Sequence, residues 1–281
     1  MHFALGGTNR LVSGMAQLIE SQGNHIRCAT EVAAIEHAGR RASGVRLATG
    51  ETIAADIVVS NADSAWTYGR LLDAGARRRW TDARLARARY SMSLFVWYFG
   101  TSRRFDAVPH HTILLGPRYR GLLEDIFERK HLASDFSLYL HRPTATDASL
   151  APPGCDAFYV LSPVPHLQSA VDWSMHAEPY RQAIAAHLGA TVLPGLEQVI
   201  TTSRVNTPND FASRYLSPHG AAFGLEPVLT QSAWFRPHNR SEELDNLFLV
   251  GAGTHPGAGL PGVLSSARVL DAVVPGIEEF G

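Results

Sequence analysis

Residues 246–267, NLFLVGAGTHPGAGLPGVLSSA, decide the fold class. The apolar run at 247–250 has the composition of a short strand that is buried on both faces of a parallel sheet. It leads into a glycine turn at 251–253, and Pro261 stands where a new helix would begin, a position at which proline sacrifices no hydrogen bond. A strand, a glycine turn and a helix start in this order are typical of a ligand-binding α/β sheet.

The start of that helix is the predicted contact point for a ligand. Glycine lets the backbone approach a ligand closely. The free N–H groups at a helix N-terminus attract anionic or electron-rich groups. We therefore expect a flat or negatively charged group over residues 259–263.

The same stretch is not a complete dinucleotide-binding fingerprint. Gly251 and Gly253 begin the pattern G-x-G-x-x-G, but Pro256 occupies the place of the third glycine. A complete fingerprint also needs a second strand that ends in an acidic residue about 20 residues further on, and this sequence ends at Gly281. We expect a closing strand and helix of a nucleotide-binding sheet whose opening lies elsewhere.

Composition excludes several classes of protein. The 281 residues carry a formal net charge of −1, which gives no reason to expect nucleic acid, and 45% of them are hydrophobic, which is ample for a core. Cys28 and Cys155 lack C-x-x-C spacing, which suits a reducing compartment and argues against structural zinc. Because there is no signal-like leader and no apolar run of about 18 residues, we expect neither secretion nor a membrane span.

The first part of the chain has the pattern of a partial cofactor domain. A glycine pair precedes an amphipathic helix for which Thr8 or Asn9 is the predicted N-cap. Short strand-like pieces between residues 25 and 53 predict a small β-meander. The strand and polar turn at 57–63 lie where open α/β sheets bind ligands.

The middle of the chain has a different pattern. Residues 66–90 predict a very basic helix, which is either a solvated face or an interfacial helix with Trp80 at headgroup depth. Three aromatic-rich segments, at 91–100, 136–141 and 157–163, predict strands of one sheet or simply core. These changes divide the chain into a partial cofactor domain at 1–64, a substrate-binding domain at 65–239 and a C-terminal cofactor segment at 240–281.

Several kinds of catalytic site are not expected. His110 and His111 are adjacent, and in a strand their rings would point to opposite faces, so we do not expect a metal site. Neither a G-x-S-x-G elbow nor a G-x-x-x-x-G-K-[ST] loop occurs, which excludes the common hydrolase and P-loop arrangements. A redox cofactor that supplies the chemistry in a dry cavity fits this shortage of acids and bases.

Nine blocks of the sequence together resemble one family, the bacterial-type phytoene desaturases of carotenoid biosynthesis. They occur in the same order and cover almost the whole chain from Gly6 to Ala267. The blocks are GGT, SNAD, SLFVWYFG, HHTILLGPRYR, EDIF, DFSLYLH, SLAPPGCDAFYVLSPVPHL, EPVLTQSAWFRPHNR and NLFLVGAGTHPGAGLPGV. The family is FAD-dependent and related to the flavin amine oxidases.

The resemblance implies FAD as the cofactor and assigns residues to it by position. A glycine pair lies near the flavin, a strand head meets the adenine, a glycine turn follows the ribityl and phosphate groups, and a helix start underlies the pyrimidine ring. The corresponding residues are Gly6, Gly7, Val32, Gly251, Gly253, Thr254, Leu260, Pro261, Gly262 and Val263. Many relatives have an acidic residue in place of Thr254. No catalytic acid or base is assigned; His255 is the best titratable candidate because it lies in the flavin segment, and a structural role fits it at least as well.

The implied activity is desaturation of phytoene by hydride transfer from an allylic C–H to the flavin, with electrons passing to oxygen or a membrane quinone. An apolar polyene implies a long apolar tunnel, for which the three aromatic segments are candidate walls. It also implies a cytoplasmic protein attached peripherally to the inner membrane, with the arginines between 77 and 89 as one candidate anchor.

The resemblance also has a clear departure. The half of the family that carries the true G-x-G-x-x-G turn has no counterpart here, so the sequence resembles a C-terminal portion. Three alternatives stay open: a carotenoid ketolase or hydroxycarotenoid desaturase, a flavin amine oxidase, and an inactive fragment that binds lipid or a partner. The predicted fold is mixed α/β, with a partial Rossmann-like FAD-binding sheet, a β-meander and an aromatic-rich mixed sheet with helices.

Overall fold

The structure is a computed structural model that describes residues 3–276. Its α-helices are α1 (Thr8–Ser21), α2 (Ser64–Trp66), α3 (Asp82–Arg87), α4 (Tyr119–Glu124), α5 (Trp173–Thr191), α6 (Pro208–Arg214) and α7 (Leu260–Val273). Its strands are β1 (Val32–Ala38), β2 (Arg41–Leu47), β3 (Thr52–Ala54), β4 (Val58–Ser60), β5 (Ser93–Thr101), β6 (His111–Leu114), β7 (Leu138–His141), β8 (Asp156–Val164), β9 (Ile200–Asn206) and β10 (Leu247–Leu249). This mixture of helices and sheets confirms the predicted α/β class.

The chain forms two compact units. The first unit comprises the chain up to Cys28 together with Leu94–Thr207, and the second comprises Ala29–Ser93 together with the chain from Pro208 onward. The predicted domains at 1–64, 65–239 and 240–281 are functional divisions, and they stay a prediction. The compact units divide at other positions because residues on both sides of residue 64 share one core in the second unit.

The first unit is built on a five-stranded sheet in the order β6-β7-β8-β5-β9. Strand β8 alternates strictly between buried and partly exposed residues, as a sheet with one covered face requires. Helix α5 covers that face, and its Ile184 and Leu188 are fully buried among Phe95 and Trp97 of β5. The aromatic segments therefore form one sheet. The alternation is strict in β8, whereas in β5 residues 93–97 are all buried.

The second unit contains the predicted β-meander, in which β1, β2 and β3 pair antiparallel. Its other sheet has only β4 and β10, which run parallel, with Leu247 opposite Val58 and Leu249 opposite Ser60. Asn246 joins the two sheets, because its side chain donates to the carbonyls of Ala42 and Asp56. This contact fixes the entry of β10.

The basic segment at 66–90 is not one helix. It is broken into short helical pieces, and Trp80 at its centre is 2% exposed, stacked on Tyr68, with its indole N–H donating to Glu242. The backbone N–H groups of residues 78–80 donate to the carboxylate of Glu243. The hypothesis that Trp80 lies at headgroup depth is therefore wrong, since these two distant glutamates draw the segment into the core.

Helix α1 begins where the glycine pair predicts, but its cap differs. Gly7 is the N-cap, with φ at 81° and no side-chain cap, so the predicted caps Thr8 and Asn9 are wrong. No residue of α1 is buried, and its apolar Leu18 is 58% exposed. Within residues 3–276, no helix combines the length and the apolar character that a membrane crossing needs.

Candidate functional site

The candidate cofactor site lies at the carboxyl ends of β4 and β10 in the second unit. Because these strands are parallel, the polar turn after β4 and the glycine turn after β10 meet at one sheet edge. The backbone N–H of Val250 donates to the carbonyl of Ser60 at 3.0 Å, which continues the pairing to the first glycine. The sequence interpretation of both segments as ligand-facing strand ends is consistent with this arrangement.

The glycine turn is held by small polar residues. The N–H of Gly251 donates to Ser266 Oγ of α7 at 2.8 Å, and Ser64 Oγ donates to the carbonyl of Gly253 at 3.2 Å. Gly251 has φ at 97°, and a Cβ there would overlap Asn61 Oδ1. Only glycine fits this position, because both the backbone conformation and the neighbouring amide exclude a side chain.

The N-terminus of α7 is bare. Its N-cap Gly259 has no side-chain cap and is exposed, as are Leu260 and Pro261. Gly262 packs against the loop, since a Cβ there would lie 2.5 Å from the Gly257 carbonyl oxygen. The first turn of the helix thus presents backbone N–H groups and no competing side chain, which is the arrangement that binds an anionic or electron-rich group.

Thr254 and His255 follow the glycine turn but have different surroundings. Thr254 is fully buried and its hydroxyl donates to the carbonyl of Pro237 at 2.7 Å, so its side chain serves the loop rather than a ligand. The His255 ring is partly exposed and lies 6.1 Å from the His238 ring. Burial lowers the pKa of His255, and the nearby His238 and Arg236 lower it further. His255 is therefore neutral at physiological pH.

Arg236 is a residue of this site that the sequence reasoning missed. It is 9% exposed, its Nη2 donates to the carbonyl of Ala252 at 2.6 Å, and its Nε has no partner. Burial lowers its pKa. A buried guanidinium with an unused donor beside a bare helix terminus fits an electron-rich or anionic cofactor such as FAD. In the sequence, the only signal for Arg236 was its position in the block EPVLTQSAWFRPHNR. The resemblance assigned no role to that residue.

Asp63 ends the polar turn after β4. Its carboxylate accepts the N–H groups of Ala65 and Trp66 and so caps α2. Burial raises the pKa of Asp63 although these hydrogen bonds lower it. The residue fixes the turn that supports the glycine segment.

The remaining predicted cofactor residues lie elsewhere in the chain. Val32 begins β1 of the second unit, opposite Leu47, and is partly exposed. Gly6 and Gly7 belong to the first unit, where both have φ at 81° and Gly6 N–H donates to Asp147 Oδ2 at 2.6 Å. Their assignment to FAD stays a prediction.

The five-stranded sheet of the first unit has an uncovered aromatic face. Tyr98, Tyr139 and Tyr159 lie on it, with the Tyr159 ring 5.8 Å from that of Tyr98 and 5.7 Å from that of Tyr139. Ile113, opposite Tyr139, is 70% exposed. This face, rather than the core residues between these positions, is the apolar surface that the aromatic segments offer.

The same face brings His110 and His111 together, which the sequence reasoning excluded. Their ring centroids are 4.4 Å apart, and a third histidine, His141, is within 5.2 Å of each ring. The geometric argument was wrong because β6 begins at His111, so that His110 precedes the strand and the alternation of strand side chains does not apply to it.

Comparison with known proteins places the chain in a family. Residues 1–269 match the family model described as "Flavin containing amine oxidoreductase". The chain therefore belongs to this family of flavin-containing oxidoreductases. The membership confirms the predicted FAD cofactor.

Within that family, the chain is most informatively compared with carotenoid desaturases. It is 54% identical over 280 residues to "Phytoene desaturase (neurosporene-forming)" of Cereibacter sphaeroides, covering 98% of this chain and 54% of the relative. It is 50% identical over 273 residues to "Phytoene desaturase (lycopene-forming)" of a Paracoccus species, covering 97% of this chain and 54% of that relative. The predicted resemblance is confirmed, and the chain spans about half the length of these relatives.

Solved structures support the fold. An oxidoreductase from Methanosarcina mazei matches with a TM-score of 0.64 at 19% identity, over 95% of this chain and 55% of that one. Putrescine oxidase bound to putrescine matches with a TM-score of 0.61 at 11% identity, over 95% of this chain and 52% of that one. At these identities the likeness concerns the fold alone.

Proposed function

We propose that this chain is part of an FAD-dependent desaturase that removes hydrogen from phytoene in carotenoid biosynthesis. The observation that carries the proposal is the 54% identity to a phytoene desaturase along 98% of the chain. Relatives named for different products, neurosporene and lycopene, are similarly close. The proposal therefore names phytoene as the substrate and does not name the product.

The residues at the ends of β4 and β10 would hold the cofactor. The N–H groups of Leu260 and Gly262 would bind an electron-rich or anionic group of FAD, Gly251 and Gly253 would allow close backbone approach, and Arg236 would offer an unused donor. Val32, Thr254, Pro261 and Val263 complete the proposed set in the second unit, and the role proposed for Gly6 and Gly7 concerns the first unit alone. When bound, FAD supplies an acceptor for the hydride that a C–H bond loses on desaturation.

The uncovered face of the five-stranded sheet would contact the substrate. Phytoene has no polar group that could be hydrogen-bonded, so its recognition depends on apolar and aromatic surface. Tyr98, Tyr139, Tyr159 and Ile113 form such a surface. Their hydroxyls lie at the edge of each ring, so most of the surface that each ring offers to a polyene is apolar.

His255 is the proposed catalytic candidate. The support for a catalytic role is the chemistry of its imidazole ring. Its lowered pKa keeps the imidazole neutral and able to accept a proton. The same ring is packed beside His238, and the backbone carbonyl of His255 accepts from Asn239. A structural role for this residue explains those contacts equally well.

The proposed location is the cytoplasmic face of the inner membrane, since phytoene dissolves in lipid. Apolar side chains that face solvent support peripheral attachment: Leu229 is 85% and Trp234 72% exposed. The arginines between 77 and 89 support it less, because Arg77, Arg79 and Arg89 are already paired with Asp82, Glu242 and Glu226. The proposed electron acceptor is oxygen or a membrane quinone.

Two alternatives keep the same cofactor. A carotenoid ketolase or a hydroxycarotenoid desaturase would share the glycine turn and differ in the substrate wall. A flavin amine oxidase acting on a polar amine would need acidic or aromatic-cage residues near the flavin, where this segment has Thr254, His255 and Leu260. An inactive fragment that binds lipid or a partner is the third alternative.

The test is a two-stage measurement on the purified chain. First, the protein is incubated with FAD and desalted, and its visible spectrum is recorded; we expect the absorption of bound oxidised flavin. Second, the flavin-loaded protein is mixed with phytoene in liposomes and a quinone, the liposomes are sedimented, and the extracted pigments are separated by chromatography. We expect coloured, more conjugated products and protein in the pellet.

The outcomes separate the parts of the proposal. A colourless protein after desalting would contradict flavin binding by this chain and favour the inactive fragment. Retained flavin with unchanged phytoene, but turnover of a hydroxylated carotenoid, would favour the alternative substrate. Activity with all of the protein in the supernatant would contradict membrane attachment.

A further inference from the structure

A cluster of three histidines lies at one end of the uncovered sheet face in the first unit. His110 directly precedes β6, His111 begins β6, and His141 ends β7 opposite His111. Tyr159 of β8 lies opposite His141. Strand pairing therefore places His111 and His141 side by side, and the bend before β6 brings His110 to the same point.

The ring nitrogens of this cluster converge. Each histidine offers one nitrogen, and these nitrogens all lie within 4.8 Å of one another. The closest pair is His110 Nε2 and His141 Nε2 at 2.8 Å. One ion bound by imidazoles at about 2.0–2.1 Å in tetrahedral geometry needs ligand nitrogens about 3.3 Å apart, so rotations of the side chains suffice to admit it.

The outer nitrogens of two of the rings are held by hydroxyl groups. His110 Nδ1 is hydrogen-bonded to Thr146 Oγ1, and His111 Nδ1 is hydrogen-bonded to the Tyr139 hydroxyl at 2.6 Å. Histidines that bind metals are typically oriented in this way, because a partner on one nitrogen fixes the ring and the tautomer and leaves the other nitrogen for the ion. Both hydroxyls orient the rings toward the common point.

The third ring is buried and incompletely satisfied. His141 is 9% exposed, and its Nδ1 has no hydrogen-bond partner. Burial, together with His110 and His111, lowers the pKa of His141 to about 4, and burial lowers that of His110. Neutral imidazole is the form that binds a metal ion, and the unpartnered Nδ1 of His141 leaves this ring without a complete set of hydrogen bonds.

We propose that His110, His111 and His141 form a binding site for one divalent transition-metal ion of the zinc class, such as Zn²⁺ or Co²⁺. Three imidazoles suit these ions better than they suit Mg²⁺ or Ca²⁺, which prefer oxygen ligands. A fourth position stays open for water or another ligand, as in three-histidine sites generally. The inference rests on the geometry of the first unit and is independent of the proposed desaturase activity.

The competing explanation is a packing cluster. In that case the His110–His141 contact is an ordinary hydrogen bond between neutral rings, and Phe3, 4.7 Å from the His110 ring, closes the cluster with an aromatic contact. In that explanation His111 is also held by packing, because its ring stacks on that of His141 at 5.2 Å. The two explanations differ in whether the converging nitrogens bind an ion, which a metal titration decides.

The experiment is a titration of the full chain, purified without a polyhistidine tag and treated with chelating resin. Co²⁺ is added, and its visible d–d absorption reports imidazole coordination. We expect absorption that saturates at one equivalent and is abolished by Zn²⁺. His111→Ala should weaken Co²⁺ binding at least about tenfold. Because His111 is exposed, this variant removes a ligand without opening the core.

Controls make the result decisive. His176→Ala changes an exposed histidine on α5 and should titrate as the wild type does. His141→Ala should also lose the absorption, with a circular dichroism spectrum to check folding. A folded wild type without the absorption, or equal titrations of wild type and His111→Ala, would overturn the metal site and leave a packing cluster.

Discussion

The five-stranded sheet of the first unit and the glycine turn after β10 in the second are stabilised by different interactions. On the sheet, Phe95 and Trp97 are fully buried beneath α5, and apolar contact dominates. Strand β10 is buried too, but Ser266 is the one buried residue of α7, the helix that follows the turn. Hydrogen bonds to backbone groups and glycine geometry hold the turn itself.

The difference shows which region depends on a ligand. A face that buries large apolar side chains gains its stabilisation within the chain. A turn held by a few hydrogen bonds, each worth about 0.5–1.5 kcal/mol, gains more from a bound molecule, which stabilises only the folded form. We therefore expect FAD to raise the stability of the second region and to leave the sheet unaffected.

The largest expected effect on stability comes from breaking a buried ion pair in the five-stranded sheet. Arg142 is 2% exposed, and its Nε lies 2.9 Å from Asp156 Oδ2, as an ion pair rather than an aligned hydrogen bond. Asp156 also accepts from Thr144 and from the N–H of Phe105. Asp156→Ala should lower the free energy of unfolding by about 3–5 kcal/mol, since it removes the only buried carboxylate paired with this buried guanidinium among the described residues. Urea denaturation measures this.

Asp106 provides the matched control, because it binds the same guanidinium from the surface. Its side chain is 71% exposed, and it accepts from Arg142 Nη2 at 2.8 Å. Asp106→Asn should change the free energy of unfolding by about 0–1 kcal/mol. Similar effects of the two substitutions would contradict the distinction between the buried and the exposed partner.

An intermediate effect is expected at the glycine turn. Gly251→Ala combines a positive φ with an overlap against Asn61 Oδ1. It should destabilise the protein by about 1–3 kcal/mol and abolish FAD retention after desalting. The measurements are urea denaturation and the visible spectrum of the same sample.

The control for this substitution is Gly50→Ala in the turn between β2 and β3. Gly50 has φ at 90°, close to that of Gly251, but a Cβ there meets nothing within 4 Å. It reproduces the backbone strain without the overlap, and FAD retention should be unchanged. Loss of FAD from both variants would show that general destabilisation, rather than the shape of the turn, governs retention.

The smallest expected effect depends on pH and concerns Asp63. Burial raises its pKa above the usual 3.8, so the folded protein holds this proton more tightly than the unfolded chain does. Its contribution to stability is then complete below the unfolded pKa and is lost as pH rises through the folded pKa. Relative to wild type, Asp63→Asn should therefore gain stability as the pH rises from about 4 towards about 7.

Denaturation of both proteins across this range measures the difference. A stability difference that does not change with pH would contradict the raised pKa, because it would show that the two backbone N–H bonds cancel the effect of burial at Asp63. Either result concerns only the polar turn that contains Asp63. The Arg142–Asp156 ion pair contributes equally to the stability of the wild type and of Asp63→Asn, so it does not affect the difference between them.

The sequence predicted the elements whose signals are local. The apolar run, glycines and proline of 246–267 are each sufficient to set a strand, a turn and a helix start, and β10 and α7 lie there. The composition of residues 247–250 indicated a buried strand of a parallel sheet, and β10 is buried and runs parallel to β4. That β4 is its partner was not predicted.

The sequence did not predict contacts between distant residues. Trp80 is in the core because Glu242 and Glu243, more than 160 residues later in the chain, bind its indole and its backbone. The histidine cluster forms because a bend precedes β6, which no local signal marks. The buried guanidinium of Arg236 was missed for the same reason: only the folded chain places it beside Ala252.

The strict alternation of buried and partly exposed residues along β8 determines both the core face and the aromatic face of the sheet. Phe158 and Val160 are buried against α5, and Tyr159 and Leu161 lie on the uncovered face. Deleting a single residue within this strand would exchange the two sets of side chains. Tyrosine hydroxyls would then point into the apolar core, and phenylalanine would face outward. The sheet can therefore accept changes of side chain on either face separately, but a change of length in β8 damages the core and the aromatic surface together.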